Sequence, residues 1–474
     1  MRRKKPAPLL SKLLIEDYAA EGKCIARQDG KVIFVEGVVP GDRVDVRIIK
    51  SKKDWAEGVV VSFVSKAEDR VDPFCDHFGV CGGCQWQMLP YEKQLQFKQQ
   101  QVEQTLQRIG KVALPQIQPI AGATQTTQYR NKIEYTFGNK RYLLPSELGN
   151  ESISNQSNVA GFHARGYFDK IVDIDTCHLQ ATPSNEIRHF IKKMALAKGW
   201  SFYDSRAHQG YLRNLQLRYC RSGELMVNLI VGEEKPEQTN LLLQELQKEF
   251  SAITTLLYTV NQKWNDSILD LEPVVFYGKG FVEEILYGTD PSEKYRFKIG
   301  SQSFFQTNTA QAETLYRLTA EAAALTGKET LYDLYCGTGS IGIFLSRKAG
   351  RIVGVEQVSA AIEDAKENAR INQIHNASFY AGDVAAICTD TFFDKEGRPD
   401  VIITDPPRAG MHETLVDTLR AIAAPVIVYV SCNPATQARD LQRLDSDYQV
   451  TRVQPVDMFP HTHHIENIVQ LRRR

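Results

Sequence analysis

Thr330-Leu331-Tyr332-Asp333-Leu334-Tyr335-Cys336-Gly337-Thr338-Gly339-Ser340-Ile341-Gly342 is the stretch that decides the fold. Its first half is a short apolar run that reads as a buried strand, and the glycines after it make a tight turn opening a helix. Arg351-Ile352-Val353-Gly354-Val355-Glu356 then supplies a second strand with an acid at its end. Strand, glycine turn, helix, strand and acid form the βαβ unit of nucleoside-binding sheets. The Glu356 carboxylate can accept both hydroxyls of a ribose, and Gly382-Asp383 sits where an adenine amino group could be read. The turn departs from the dinucleotide fingerprint. Together these features favour S-adenosylmethionine over NAD.

Two further strand ends lie downstream. Val401-Ile402-Ile403-Thr404 stops at Asp405-Pro406-Pro407-Arg408, and the apolar run from Pro425 to Val430 stops at Ser431-Cys432-Asn433-Pro434. In open α/β sheets the carboxyl edge of the strands is where ligands bind. An aspartate and a cysteine at that edge suit covalent chemistry, with Cys432 as the nucleophile because a thiolate is accessible near neutral pH. Asp405 is placed to hold a cofactor or a base. Upstream, Gly300 to Asn308 is a polar loop with two aromatics, Phe304 and Phe305, leading into a helix near 309–325.

At 474 residues the chain is too long for one core, and about three domains are expected. Hydrophobic residues at 42% and charged residues at 24% place it among globular proteins rather than disordered ones. Lys+Arg and Asp+Glu balance at 57 each, yet residues 1–66 hold 14 Lys/Arg against 9 Asp/Glu and the chain closes on Arg472-Arg473-Arg474. Basic ends are commonly solvated tails and also suit phosphate contact. No apolar run approaches the ~18 residues of a membrane helix, and the N-terminus lacks a signal-like apolar core, so a cytoplasmic protein without membrane contact is expected. Nine cysteines in such a chain point to metal or catalytic roles rather than disulfides.

Residues 1–66 read as a small β-barrel. Short alternating runs such as Lys31–Val35, Asp45–Ile49 and Gly58–Val61 are separated by turn signals at Gln28-Asp29-Gly30 and Val39-Pro40-Gly41-Asp42. Arg47, Lys50, Lys52 and Lys53 cluster beside Trp55, which suits either an RNA platform or a solvated hairpin. Residues 67–300 read as an α+β central domain. It opens with Cys75, Cys81 and Cys84 within ten residues; Cys177 is the best candidate for a fourth ligand. Four thiolates can hold zinc or an iron–sulfur cluster, and three clustered thiols with one distant thiol lean towards [4Fe–4S]. Residues 91–110 carry Leu95, Phe97, Val102, Leu106 and Ile109 on an amphipathic helix with a stop at Gly110. Arg130 and Lys132, on a strand-like run, and Arg165 could line an RNA groove or simply a polar strand face. Residues 143–158 read as an exposed insertion, and strands are expected near 212–218, 225–230 and 255–260. Residues 301–474 form the Rossmann-like domain, so the fold class is multidomain α/β.

With these parts in order, the chain resembles the RNA 5-methyluridine methyltransferases over nearly its whole length. The residues carrying the resemblance are Phe304-Phe305-Gln306, Asp333 to Gly339, Asp405 to Gly410, Ser431 to Thr436 and Pro460 to Glu466. The barrel resembles a TRAM domain, and the whole is closest to the branch that methylates 23S ribosomal RNA and carries a [4Fe–4S] cluster. The resemblance implies that Cys432 adds to carbon 6 of a uracil and that Glu466 removes the carbon 5 proton. It implies cofactor contacts from Gln306, Tyr335, Ser340, Glu356, Asp383 and Asp405, and stacking of Phe304 on an extruded base. Ser340 stands where some members carry asparagine. His461, His463 and His464 are read as packing or orienting residues. A monomer acting on RNA, most directly 23S rRNA, is expected. The other readings are a tRNA 5-methyluridine enzyme, a cytosine-5 methyltransferase and, in another class, a non-catalytic RNA-binding or chaperone factor.

Overall fold

The computed structural model describes residues 8–474 apart from 151 and 291; the cations at positions 2–5 lie outside them. The C-terminal sheet has seven strands in the order Ala377–Ala381, Arg351–Glu356, Thr330–Leu334, Val401–Thr404, Val426–Ser431, Glu466–Arg473, Tyr448–Val456. The first five are parallel, and Glu466–Arg473 runs antiparallel to both its neighbours. Every residue of Val401–Thr404 and Val426–Ser431 is buried. Strands covered on both faces must be apolar throughout, which is why these runs were continuous in the sequence.

In the N-terminal unit, six strands curl around Leu13, Val35, Val44 and Val46. Asp29 and Gly30 both have positive φ, so the turn read at Gln28-Asp29-Gly30 closes a hairpin. Lys50 lies over the Trp55 ring at 4.9 Å. The central sheet, also of seven strands, includes Leu212–Tyr219, Leu225–Val231 and Ile253–Val260, as the sequence suggested. Helices Ser184–Ala197 and Pro236–Glu249 cover its apolar face through Ile187, Ile191, Leu242 and Leu246. On the other face, Arg218 donates to the Ser303 carbonyl at 2.9 Å, tying the sheet to the loop that carries Phe304. Much of 143–158 is exposed, but its end enters the strand Gln156–His163. No helix among the described residues is long and apolar enough to cross a membrane.

Packing crosses the boundary read at residue 300. The hairpin Val282–Tyr287 with Lys294–Ile299 puts Val282, Leu286, Phe297 and Ile299 into the core of the C-terminal sheet. The helix after the cysteines, Tyr91–Thr105, also packs on that domain, and its buried stripe is Gln94, Lys98, Val102 and Leu106 rather than the purely apolar set; Ile109 is exposed. Two of these buried residues are polar, and an apolar-periodicity reading is blind to them. The helix ends at Gly110, as read, in a π turn over Leu106–Gly110, and Lys111 after it adopts the left-handed cap.

The turn after Thr330–Leu334 needs glycine twice, for different reasons. Gly337 and Gly339 have φ of +53° and +78°, but a Cβ on Gly339 would press within 3.1 Å of Ala365 and Phe379, whereas one on Gly337 would meet open space. Gly339→Ala should therefore destabilise the domain by about 1–3 kcal/mol through strain plus crowding. Gly337→Ala should cost only the strain. The urea midpoints of the two variants check that order.

Candidate active site

The carboxyl edge of the C-terminal sheet gathers most of the residues singled out above. Tyr335 leaves its strand with φ +63°, unusual for a residue with a side chain, and its N–H donates to the Val355 carbonyl at 2.9 Å. The Glu356 carboxylate accepts from the N–H of Gly337 at 3.3 Å and of Val358 at 2.9 Å, so it is held over the glycine turn. Asp383 is exposed and caps a short helix, accepting from the Ala386 N–H at 3.1 Å. Ser340 opens the helix Ser340–Leu345 and shares a hydrogen bond of 2.9 Å with Tyr316. Gln306 is nearly buried, and its carbonyl accepts from Asn131 at 2.9 Å. The two loop aromatics divide the work: Phe305 packs on Phe297 in the core, while Phe304 is 70% exposed.

Cys432 follows the strand Val426–Ser431 and is half-buried. Asn433 holds the turn: its side chain accepts from the Ala435 N–H at 3.1 Å and donates to the Arg408 carbonyl at 3.0 Å. Thr436 donates to the same carbonyl at 3.2 Å, so the turn is lashed to the loop of Asp405. Glu466 begins the reversed strand, in which Asn467 pairs with Ser431. A strand that starts where its antiparallel neighbour ends puts Glu466 at the edge of Cys432, and the residue is only 6% exposed.

Burial pushes the Asp405 carboxyl up, and burial together with Asp405 pushes Glu466 well above the usual carboxylate range. Burial first, then Glu466 and Asp405, push the Cys432 thiol up to about 11, with the Arg408 guanidinium opposing them. Arg408 lowers Glu466 as well. Its place as a cation acting on both groups was not legible beyond its position after Asp405-Pro406-Pro407. Burial brings His461, His463 and His464 down to about 4, so near neutral pH these rings are uncharged, as orienting or packing groups would be.

Cys75, Cys81, Cys84 and Cys177 line one cavity of about 340 Å³, and all nine cysteines are free thiols. Among the described residues no three His, Cys, Asp or Glu side chains are gathered closely enough for a single metal ion. Arg130 and Lys132 line the same cavity and are half-buried there. Arg130 also donates to Thr307 at 3.3 Å. Arg165 donates to the Cys84 carbonyl at 3.2 Å and reaches Glu36 at 3.8 Å, joining the cysteine turn to the N-terminal unit.

This sheet order, with its glycine turn and acidic strand end, defines an S-adenosylmethionine-dependent methyltransferase. Residues 222–474 match the tRNA (Uracil-5-)-methyltransferase family and residues 12–61 the TRAM domain. A protein described as an uncharacterized RNA methyltransferase of Bacteroides thetaiotaomicron is 51% identical over 96% of this chain and 100% of its own length. One of the same description from Porphyromonas gingivalis is 48% identical over 97% of this chain and 99% of its own. The crystal structure of Pyrococcus abyssi tRNA (uracil-54, C5)-methyltransferase with S-adenosyl-L-homocysteine superposes with a TM-score of 0.73 at 29% identity, covering 97% of this chain and 100% of that one. The chain belongs to the tRNA (uracil-5-)-methyltransferase family, and its N-terminal unit is a TRAM domain.

With the free thiol raised to about 11, alkylation of Cys432 by iodoacetamide should climb about tenfold per pH unit from pH 7 to 10 without a plateau. Arg408→Gln removes the opposing cation and should slow alkylation at every pH in that range. Peptide mapping by mass spectrometry reads the Cys432 product apart from the other thiols.

Proposed function

We propose that this chain methylates carbon 5 of a uridine in 23S ribosomal RNA through a covalent adduct between Cys432 and carbon 6. The observation that carries this reading is the meeting of Cys432 and the buried Glu466 at one sheet edge, beside the glycine turn. Uracil carbon 5 is a poor nucleophile. Addition of the Cys432 thiolate to carbon 6 makes the ring an enolate that can attack a methyl group. S-adenosylmethionine, when bound, supplies that methyl group on a positively charged sulfur. The turn fits it: Gly337 leaves open space where a side chain would stand, and Glu356 is fixed beside it. Tyr335, Ser340, Glu356, Asp383, Gln306 and Asp405 are the residues that would hold it. After transfer, Glu466 takes the carbon 5 proton; a carboxyl held above its usual range is the stronger base for that step. Both faces of the base must be reached, so the uridine leaves its stack, and the exposed ring of Phe304 offers it a new one.

Cys75, Cys81, Cys84 and Cys177 would hold a [4Fe–4S] cluster. Support comes from four thiols lining one cavity, the ligand set such a cluster takes. No electron moves in the methylation, so the cluster's part in this reading is structural. The TRAM domain combined with the cysteine set supports ribosomal RNA as the substrate. A tRNA substrate is the second reading, favoured by the tRNA enzyme of Pyrococcus abyssi among similar structures. A cytoplasmic monomer completes the proposal.

Labelled S-adenosylmethionine offered with separate rRNA and tRNA transcripts should label carbon 5 of a uridine in 23S rRNA; label in tRNA alone would transfer the activity to the second reading. RNA carrying 5-fluorouridine should trap a denaturation-resistant adduct. Cys432→Ala should abolish the adduct and cut methylation to below about one-thousandth. Anaerobically purified protein should be brown, with absorbance near ~400 nm lost in Cys84→Ser.

A further inference from the structure

The loop Asp457–Ile465 ends at Glu466, and the helix Tyr91–Thr105 grips it with two polar side chains that are wholly buried. Lys98 is paired with Asp457 at 2.6 Å, both side chains 0% exposed, and also donates to the Phe459 carbonyl at 3.2 Å. Gln94 donates to the Trp86 and Leu89 carbonyls at 3.0 Å each, and its own carbonyl accepts from the His461 N–H at 2.9 Å. The His461 carbonyl accepts from the N–H groups of Gln85 at 2.8 Å and Trp86 at 3.0 Å. His461 itself has φ +64°. A residue with a side chain keeps that conformation only where its surroundings enforce it.

A buried lysine and glutamine are costly where apolar residues would serve, and every polar atom they spend here goes to one loop or to the chain just after Cys84. We propose that Gln94 and Lys98 are positioning residues for Glu466, and that they govern the second half of the reaction rather than the first. This rests on the reading of Glu466 as the base. In that half-reaction the carbon 5 proton passes to the Glu466 carboxylate, the C–H electron pair becomes the carbon 5–carbon 6 double bond, and the bond to sulfur breaks to release the Cys432 thiolate. Cys432 hangs from a different strand and its turn is lashed to the Arg408 loop, so loosening the Asp457–Ile465 loop leaves addition and methyl transfer in place.

The test follows both halves with holoprotein. Wild type, Glu466→Gln, Gln94→Leu and Lys98→Met are mixed with S-adenosylmethionine and RNA, and the denaturation-resistant adduct is timed. On ordinary uridine RNA, Gln94→Leu and Lys98→Met should break down the methylated adduct about tenfold to a hundredfold more slowly than wild type, so that it accumulates as in Glu466→Gln. On 5-fluorouridine RNA, where carbon 5 carries no proton to remove, they should form adduct within about twofold of the wild-type rate. Equal loss in both assays, or no change in either, overturns the proposal. Melting curves sort a Lys98→Met protein that fails to fold, in which case Gln94→Leu decides alone. Absence of accumulation in Glu466→Gln would remove the base reading and the inference with it, whereas accumulation there but not in Gln94→Leu removes only the inference.

Discussion

One reversed strand makes the site. Five parallel strands deliver their carboxyl ends to a single edge, so the residues they can place there all follow a strand. Glu466 opens one. Because Glu466–Arg473 runs against Val426–Ser431, its second residue, Asn467, pairs with its neighbour's last, Ser431, and that register carries Glu466 just past the neighbour's end. A slip of one residue would turn Glu466 to the other face of the sheet. The same strand is buried from Glu466 to Leu471, so its apolar side chains enforce the register that the carboxyl needs.

The loop leading into that strand has no regular structure of its own, and so its shape must come from elsewhere. It comes from the helix Tyr91–Thr105, more than three hundred residues away in sequence, and from the segment between Cys84 and that helix. The cysteine segment thus touches the loop before Glu466 through the backbone of His461 and through Phe74, whose ring lies 5.0 Å from that of His461. A structural cluster in the proposed reading would hold that segment, which gives a cluster with no electron to transfer a physical reason to be in a methyltransferase.

Much of this was legible in the sequence, and the remainder was illegible for identifiable reasons. Continuous apolar runs ending in Asp405 and Cys432 announced buried parallel strands, because strands covered on both faces admit little else. The glycine turn announced itself through conformations that only glycine adopts freely. The helix Tyr91–Thr105 was found, but its buried stripe was not: Gln94 and Lys98 repeat every four residues with Val102 and Leu106, a spacing visible in the sequence only to a reader willing to bury a lysine. Lys132 opens the strand Lys132–Lys140, whereas Arg130 lies before it in an isolated bridge to Asn308, and no local signal tells which way either cation faces. Arg130 and Lys132 turn into the cysteine cavity, and the loop 261–265 takes up Arg213 through its carbonyls.

The edge also concentrates acid. Asp333 is wholly buried and pushed up to about 7 by burial, with Asp405 and Glu356 adding to the rise and only the Gly342 N–H, at 2.9 Å, opposing it. A carboxyl whose folded value lies above its unfolded one loses stability as pH climbs from the ordinary carboxyl range through about 7. The free protein therefore spends folding energy to keep Asp333, Asp405 and Glu466 together. In the proposed reading, positive charge entering the edge would recover that cost. In the proposed reaction the cofactor's sulfur is a cation before transfer and neutral after it, so the same carboxylates that favour the cofactor hold its product less tightly. Surplus acid at the strand ends is then a means of binding the charged reactant and releasing the uncharged one from a single unaltered site.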